Sequence, residues 1–229
     1  MDGSASPGIV VVGGGGGALG AAVVARLHAG GWNVIVPARD PGRVHAPRGV
    51  LTIACDLDDA GAVDRLAGEV AALGPWRALV NASGGYAGGL AHELGDDAVL
   101  AQLQLNLLGP WRLARVAARS MIDAGLPGRI VNVGSRASLE VARGQAGYQV
   151  SKAALLRLTQ VMAAELRSHS ISVNAVLPQT IDTQANRAMM PRADRAKWVS
   201  PDEVAGVVEW LLSPAAGVVT GAAIPVYER

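Results

Sequence analysis

Four apolar residues, Ile9-Val10-Val11-Val12, run directly into five consecutive glycines, Gly13 to Gly17, and an apolar stretch from Ala18 to Ala29 follows without a break. β-Branched residues favour an extended strand, glycines let the chain reverse tightly, and the Ala- and Leu-rich stretch favours a helix. A strand, turn and helix in that order bury their apolar faces when the helix packs back onto a sheet of parallel strands. The rest of the chain repeats this alternation. Val- and Ile-rich runs predict strands at Ile9–Val12, Asn33–Val36, Val50–Ala54, Ala78–Asn81, Arg129–Val133, Ser172–Val176 and Ala222–Val226. Helical spacing predicts helices at Ala18–Ala29, Asp59–Leu73, Asp97–Asp123, Tyr148–Arg167 and Pro201–Leu212. In the Tyr148 helix, Leu155, Leu158, Met162 and Leu166 share a face; Ser200, Pro201 and Glu203 supply an N-cap, a first-turn proline and a capping-box partner to the last helix. The expected fold is α/β: one domain from residue 8 to 229, a doubly wound seven-stranded parallel sheet with helices on both faces, preceded by a loose tail, residues 1–7. The longest stretch without a periodic pattern, Pro178 to Val199, is expected to be a substrate-covering segment.

Composition narrows the function classes. A chain of 229 residues, half of them apolar, buries one full core, and two domains would strain it. The formal net charge of +1 gives no broad cationic surface of the kind nucleic acids require. Cys55 is the only cysteine, so an internal disulfide and a multi-cysteine metal site are excluded; no metal is expected, and a reducing, cytoplasmic setting is. The uncharged run from Gly8 to Ala25 approaches the length of a membrane span, but the glycines at its centre and the lack of a basic leader before it favour strand, turn and helix.

The turn after the first strand carries Gly14, Gly17, Ala18, Leu19 and Gly20. Glycines there let the backbone approach a pyrophosphate, whose charge meets the free N–H groups at the start of the following helix. Such a cluster alone also fits a merely flexible turn. The second strand ends in Ala38-Arg39, where an acidic residue would accept bonds from an adenosine ribose and repel a 2′-phosphate. Arg39 can instead pair with that phosphate, with Arg43 as a second candidate, so NADP(H) is favoured over NAD(H).

Tyr148 and Lys152 lie four residues apart on a predicted helix and therefore share a face. An ammonium near a phenol favours the phenolate, which predicts a tyrosine pKa drawn below its usual value of about 10 and a usable acid or base. With three tyrosines and two lysines in the whole chain, the pairing is unlikely to arise by accident. Ser135 follows the fifth strand, where ligands bind in open parallel sheets, and its hydroxyl can orient a carbonyl; Ser138 is a fallback for that role.

The glycine run, Asn81-Ala82-Ser83-Gly84, Ser135, Tyr148 to Lys152 and Pro178 together resemble the short-chain dehydrogenases/reductases over nearly the whole chain from Ile9. The resemblance implies a Rossmann-type domain in which Tyr148 is the general acid/base, Ser135 polarises the carbonyl, and Lys152 holds the nicotinamide ribose and lowers the tyrosine pKa. It implies a fourth member, Asn106. Pro110 has no N–H, so the Asn106 carbonyl, four residues earlier, loses its helical partner and is left to accept a bond from water. Further implied cofactor contacts are Asp56 and Leu57 at the adenine, Asn81, Ser83 and Gly84 beside the dinucleotide, and Pro178, Ile181 and Thr183 at the nicotinamide.

Three positions depart from the family pattern: Gly13 replaces a threonine, Ala18 a glycine, and Gln179 a glycine after Pro178. A narrower likeness to the dihydropteridine reductase branch runs through Gly17–Gly20, Leu177-Pro178, Ile181-Asp182-Thr183, Asn186-Arg187, Met190-Pro191 and Lys197-Trp198. Ala38, where that branch is acidic, and Ser135, which it lacks, point instead to carbonyl or alcohol chemistry. The leading expectation is reversible hydride transfer between NADP(H) and a ketone, aldehyde or secondary alcohol, with an NADH-preferring pterin or quinonoid reductase and a non-catalytic dinucleotide sensor as alternatives. Substrate walls are expected from residues 85–90, 136–143 and 184–197, and the resemblance implies a homo-tetramer or homo-dimer built on the two long helices.

Overall fold

The computed structural model describes residues 6–227. All seven predicted strands form: β1 (Ile9–Gly13), β2 (Asn33–Ala38), β3 (Leu51–Ala54), β4 (Trp76–Asn81), β5 (Gly128–Val133), β6 (Ile171–Pro178) and β7 (Ala223–Val226). They make one sheet in the order β3-β2-β1-β4-β5-β6-β7, and every pair is parallel. Chain progression reverses between β1 and β4, so the crevice above their carboxyl ends is the place where such a sheet accepts a ligand.

Strand periodicity divides the core in two. Ile9 and Val11 of β1 face one layer, built from α2 (Ala60–Ala71), α4 (Gly109–Asp123) and α5 (Ala146–Glu165). Val10 and Val12 face the other, where α1 (Ala18–Ala29) and α7 (Pro201–Leu212) pack. Burial of both β1 faces accounts for its unbroken apolar run. The capping box predicted for α7 is present: Ser200 Oγ accepts from Glu203 N, and Glu203 Oε2 accepts from Ser200 N at 2.8 Å.

Two elements differ from expectation. The predicted helix from Asp97 to Asp123 is α3 (Asp96–Leu103) and α4 joined by a π-helical turn, Gln104–Leu108. Pro110 explains the widening, because its ring cannot donate to the Asn106 carbonyl and would collide with it in an α-helical register. The segment expected to lack structure starts one residue later, since β6 includes Pro178, and it contains a short helix, α6 (Gln184–Met189), capped by the Thr183 hydroxyl. Ile181 and Val199 pair across its base. Of the expected tail, residues 1–5 lie outside the described residues, and Ser6 is tied to the Gly31 carbonyl at 3.0 Å.

A buried polar chain locks the sheet to its helices beneath the crevice. Asn81 of β4 donates to the Pro110 carbonyl (3.1 Å) and to Asn132 Oδ1 of β5 (2.8 Å). Asn132 donates to Thr159 Oγ1 (2.8 Å), which donates to the Leu155 carbonyl (2.9 Å). Both asparagines and the threonine are solvent-inaccessible. Asn132→Ala removes two of these bonds and leaves a buried void, so urea denaturation is expected to show a loss of about 3 kcal/mol; Thr159→Val also removes two but keeps the side-chain volume, and is expected to cost less.

Candidate active site

The glycines of the first turn are not equivalent. Gly14 has φ +77°, and a Cβ there would fall 2.5 Å from Ser83 N; a Cβ on Gly20 would fall 2.0 Å from the Gly14 carbonyl oxygen. Both are required by the turn itself. At Gly16 a Cβ would meet only Val44, at 3.5 Å, so that glycine faces open space. Gly17 is the N-cap of α1 and supplies no side-chain cap, leaving the first N–H groups of the helix, those of Ala18 and Leu19 among them, without a capping side chain. Ser83 Oγ, beside Gly14, is buried without a partner among the described residues. An open glycine cradle, an uncapped helix start and an orphaned hydroxyl fit a dinucleotide pyrophosphate.

The crevice continues along β2 and β3. Arg39 is exposed and makes no hydrogen bond or ion pair among the described residues, whereas Arg43 sits 3.8 Å from Asp40. Asp40 is committed to the chain, its Oδ1 accepting from Gly42 N at 3.1 Å. Asp56 accepts from Asp58 N, and the Leu57 carbonyl accepts from Arg112 at 2.9 Å, which fixes that loop at the edge of the sheet. Cys55, just before it, is buried, and burial pushes its thiol up to about 11, so it is inert.

At the other end, Tyr148 and Ser135 line a cleft of about 600 Å³. The Ser135 hydroxyl accepts from Ala137 N at 3.2 Å and stands in the same cleft as the Tyr148 phenol. The fallback, Ser138, donates instead to the Lys152 carbonyl at 3.0 Å, while Ser135 lines the cleft. Lys152 is buried with only 4% exposure, and its Nζ donates to the Val133 carbonyl at 3.0 Å. Gly84 makes room for it: a Cβ there would lie 3.0 Å from Nζ and 2.9 Å from Asn106 Oδ1.

Asn106 is the hub that joins these parts. Its Oδ1 accepts from Gly85 N and its Nδ2 donates to the Gly85 carbonyl, both at 3.0 Å. The same Nδ2 reaches Gln102 Oε1 (3.3 Å) and Ser151 Oγ (3.1 Å), and Ser151 donates to the Tyr148 carbonyl at 2.7 Å. The π turn delivers Asn106 to this position. Gln102 and Ser151 escaped the sequence reading, although their places four residues before Asn106 and next to Lys152 were available as a signal. Tyr86 lies within the expected wall 85–90, but its contact with Tyr148, ring edge to face at 5.2 Å between centroids, left no mark in the sequence.

The expected effect of Lys152 on Tyr148 is corrected. Burial raises the phenol above its ordinary value of 10.0 and outweighs the opposing influence of the Ser135 hydroxyl, with Tyr86 adding to the rise. The lysine does not lower it in the protein alone, because Lys152 points its ammonium at Val133 and is itself depressed by burial to about 8. Pro178 pairs with Val226 at the end of β6, and Ile181 and Thr183 follow at the base of α6, so the predicted nicotinamide contacts stand together. Arg136 and Glu140, within the expected wall 136–143, pair with each other at 2.5 Å.

A parallel sheet wound on both sides, a glycine cradle at its reversal point and a serine–tyrosine–lysine group beyond the neighbouring strands define a dinucleotide-dependent oxidoreductase. The family model for short chain dehydrogenases matches residues 8–194. The 3-oxoacyl-[acyl-carrier-protein] reductase MabA of Mycobacterium bovis is 35% identical over 226 residues, covering 95% of this chain and 90% of that protein. Human L-xylulose reductase is 32% identical over 231 residues, covering 95% and 93%. Among solved structures, a short-chain dehydrogenase/reductase from Mycobacterium ulcerans superposes with a TM-score of 0.90 at 28% identity, covering 97% of this chain and 89% of the other. A 4-hydroxyisoleucine dehydrogenase complexed with NADH superposes with 0.85 at 25%, covering 95% and 96%. The chain belongs to the short-chain dehydrogenase/reductase family and is an NAD(P)-dependent oxidoreductase acting on carbonyl or alcohol substrates. The narrower likeness to dihydropteridine reductase is corrected by these relatives, whose names are those of carbonyl reductases.

The buried Lys152 has a consequence for stability. Its folded pKa of about 8 lies below the ordinary 10.5, so the unfolded chain binds more protons between those values and stability rises with pH there. At pH 7 both states carry the charge and the folded one bears its desolvation. Lys152→Met removes that dependence. The stability difference between variant and wild type, measured by urea denaturation, is expected to shift by about 2–3 kcal/mol in favour of wild type from pH 7 to pH 10.5.

Proposed function

We propose that the protein reversibly reduces a ketone or aldehyde to an alcohol with NADP(H), Tyr148 acting as general acid in reduction and general base in oxidation. The Ser135–Tyr148 pair, lining one cleft with the Lys152 ammonium buried on the Val133 carbonyl, carries this reading. When bound, the dinucleotide supplies or accepts the hydride. Tyr148 Oη gives its proton to the carbonyl oxygen while Ser135 Oγ donates a hydrogen bond to the same oxygen. The raised phenol pKa keeps Tyr148 protonated through the neutral range, as reduction requires. Lys152 serves the nicotinamide ribose, and Asn106 holds the Gly85 backbone and the Ser151 hydroxyl in place around it. Gly14, Gly17, Ala18, Leu19 and Gly20 take the pyrophosphate, Asp56 and Leu57 the adenine, Asn81, Ser83 and Gly84 the inner face, and Pro178, Ile181 and Thr183 the carboxamide.

A panel of carbonyl compounds assayed with NADPH tests the assignment. Tyr148→Phe is expected to lower kcat/KM by about a thousandfold and Ser135→Ala by about a hundredfold. Turnover by Tyr148→Phe at the wild-type rate would sink the mechanism, and indifference to Ser135→Ala would remove the serine from it.

The preference for NADP(H) rests on Arg39, which is exposed, lacks an ion pair among the described residues and stands where β2 reaches the crevice, while Asp40 is occupied by Gly42 N. A charge-assisted bond to a 2′-phosphate contributes about 1.5–3 kcal/mol. Arg39→Ala is therefore expected to raise KM for NADPH about tenfold or more and to leave KM for NADH nearly unchanged; equal effects on both would refute the assignment. The same proposal includes a homo-oligomer. Leu100, Leu108 and Trp111 on the α3–α4 face and Val150 and Val161 on α5 are exposed apolar residues on the long helices, which a second copy of this chain would cover. No helix among the described residues is long and apolar enough to cross a membrane, and the single buried thiol of Cys55 suits a cytoplasmic enzyme.

A further inference from the structure

Three neutral polar side chains in the cleft have backbones that are fixed and hydrogen-bonding groups that are unspent. The cleft that holds Tyr148 and Ser135 is also lined by Gln145, Gln179 and Thr180. Gln145 is bridged to Gly89 and its carbonyl accepts from Gln149 N at 2.9 Å, yet its side chain does not cap the helix it begins. Gln179 N donates to the Val226 carbonyl at 3.2 Å, and the Thr180 carbonyl accepts from Val199 N at 3.0 Å. None of the three side chains has a hydrogen-bond partner among the described residues. Each is only partly exposed.

With no partner in the protein, these partly exposed side chains bond only water, which a ligand hydroxyl can replace. Several such side chains, held on rigid backbone around a reacting pair, form a site prepared to hydrogen-bond a ligand. Gln179 stands out, because it replaces a glycine of the family pattern directly after Pro178 and so adds an amide where the family has no side chain. The charge of the cleft restricts the ligand further. Its ionised side chains, Arg136 and Glu140, are paired with each other, and Arg136 also lies over the Tyr227 ring at 5.3 Å. That pair carries no net charge to attract an anionic end group, whereas a neutral hydroxyl is served by the amides and the threonine hydroxyl.

We infer that the substrate is an uncharged polyhydroxylated ketone, or the corresponding polyol in the oxidative direction, whose hydroxyls beyond the reacting carbon are bound by Gln179, Gln145 and Thr180. This rests on the carbonyl-reductase reading of the same site. Tyr148 and Ser135 address the carbonyl oxygen. Gln179 and Gln145 each offer a donor and an acceptor, which matches hydroxyls that both give and take a hydrogen bond. Met189, Met190 and Val141 line the remainder and cover the C–H faces of a short carbon chain. A long acyl chain would leave the amides facing hydrocarbon with their bonds unmade.

The test compares erythrulose, an open-chain hydroxylated ketone, with 1-hydroxy-2-butanone, which has the same carbon skeleton and lacks the distal hydroxyls. Both are assayed with NADPH in wild type, Gln179→Gly, Gln145→Ala and Tyr148→Phe. A site built to bind a hydroxyl rejects the analogue without it, so wild type is expected to favour erythrulose in kcat/KM by about tenfold or more. Gln179→Gly is expected to lower that ratio by about tenfold, chiefly through KM for erythrulose. The ratio is internal to each protein sample, so a partial folding defect cancels from it. A wild-type ratio near one, or a ratio unmoved by both Gln179→Gly and Gln145→Ala, overturns the substrate class while Tyr148-dependent turnover of either ketone keeps the carbonyl reductase. Absence of Tyr148-dependent turnover of these ketones and of the wider carbonyl panel overturns both.

Discussion

The ammonium of Lys152 is buried with a carbonyl for a partner and no carboxylate beside it among the described residues, and much of the site's construction follows from placing it there. Its desolvation opposes folding, so the surroundings must fix it by geometry. The Val133 carbonyl at the end of β5 takes one proton, Gly84 withholds a side chain that would collide with Nζ, and Ser138 bonds the Lys152 carbonyl from the next loop. Each of these groups lies at the carboxyl end of a central strand or in the loop after it. The charge is thus held at the sheet's ligand-binding edge, where an oxygen-rich ribose would complete its hydrogen bonding. Tyr148, one helical turn earlier, is raised by the same burial, so acid and ammonium owe their altered proton affinities to one cause.

A single proline organises the other side of the site. Pro110 forbids an α-helical register through Asn106, and the helix answers with one wide turn that carries the asparagine side chain to Gly85, Gln102 and Ser151. The Pro110 carbonyl also accepts from Asn81, which begins the chain Asn81–Asn132–Thr159 under the crevice. The distortion that shapes the catalytic region is therefore pinned to the two central strands. An asparagine in a regular helix would have presented its amide elsewhere on the helix surface.

Local rules carried the sequence reading far. Val- and Ile-rich runs identified all seven strands, most plainly β1, whose two faces are both buried, and Ser200-Pro201-x-Glu203 marked the start of α7 because a capping box is written in four adjacent residues. The spacing of Tyr148 and Lys152 was equally legible, being a property of one helix. What failed to show depended on contacts between distant segments. The Tyr86 ring against Tyr148, the closure of Arg136 on Glu140 and the direction taken by the lysine side chain arise only once loops after different strands converge. The sign of the tyrosine shift belongs to that group. Proximity along a helix suggested a lowered pKa, while burial, which no four-residue spacing encodes, raised it.

The glycine run illustrates the same distinction within eight residues. Gly14 and Gly20 are demanded by backbone that would occupy the space of a Cβ, while Gly16 has room to spare and is open to a ligand. Gly13 answers to a third constraint. A Cβ there would fall 2.6 Å from Leu113 Cδ1 and 3.4 Å from Asn81 Oδ1. A hydroxyl-bearing residue, as the family pattern has it, would place a polar group near an acceptor that is here buried and unpartnered among the described residues. The glycine instead lets Leu113 of α4 pack directly on β1. This chain has exchanged a polar contact for closer helix–sheet packing, and Asn81 remains fixed through its amide nitrogen, which both the Pro110 carbonyl and Asn132 hold. The strand end that borders the cofactor crevice is consequently set by α4 and β5 rather than by the glycine turn itself.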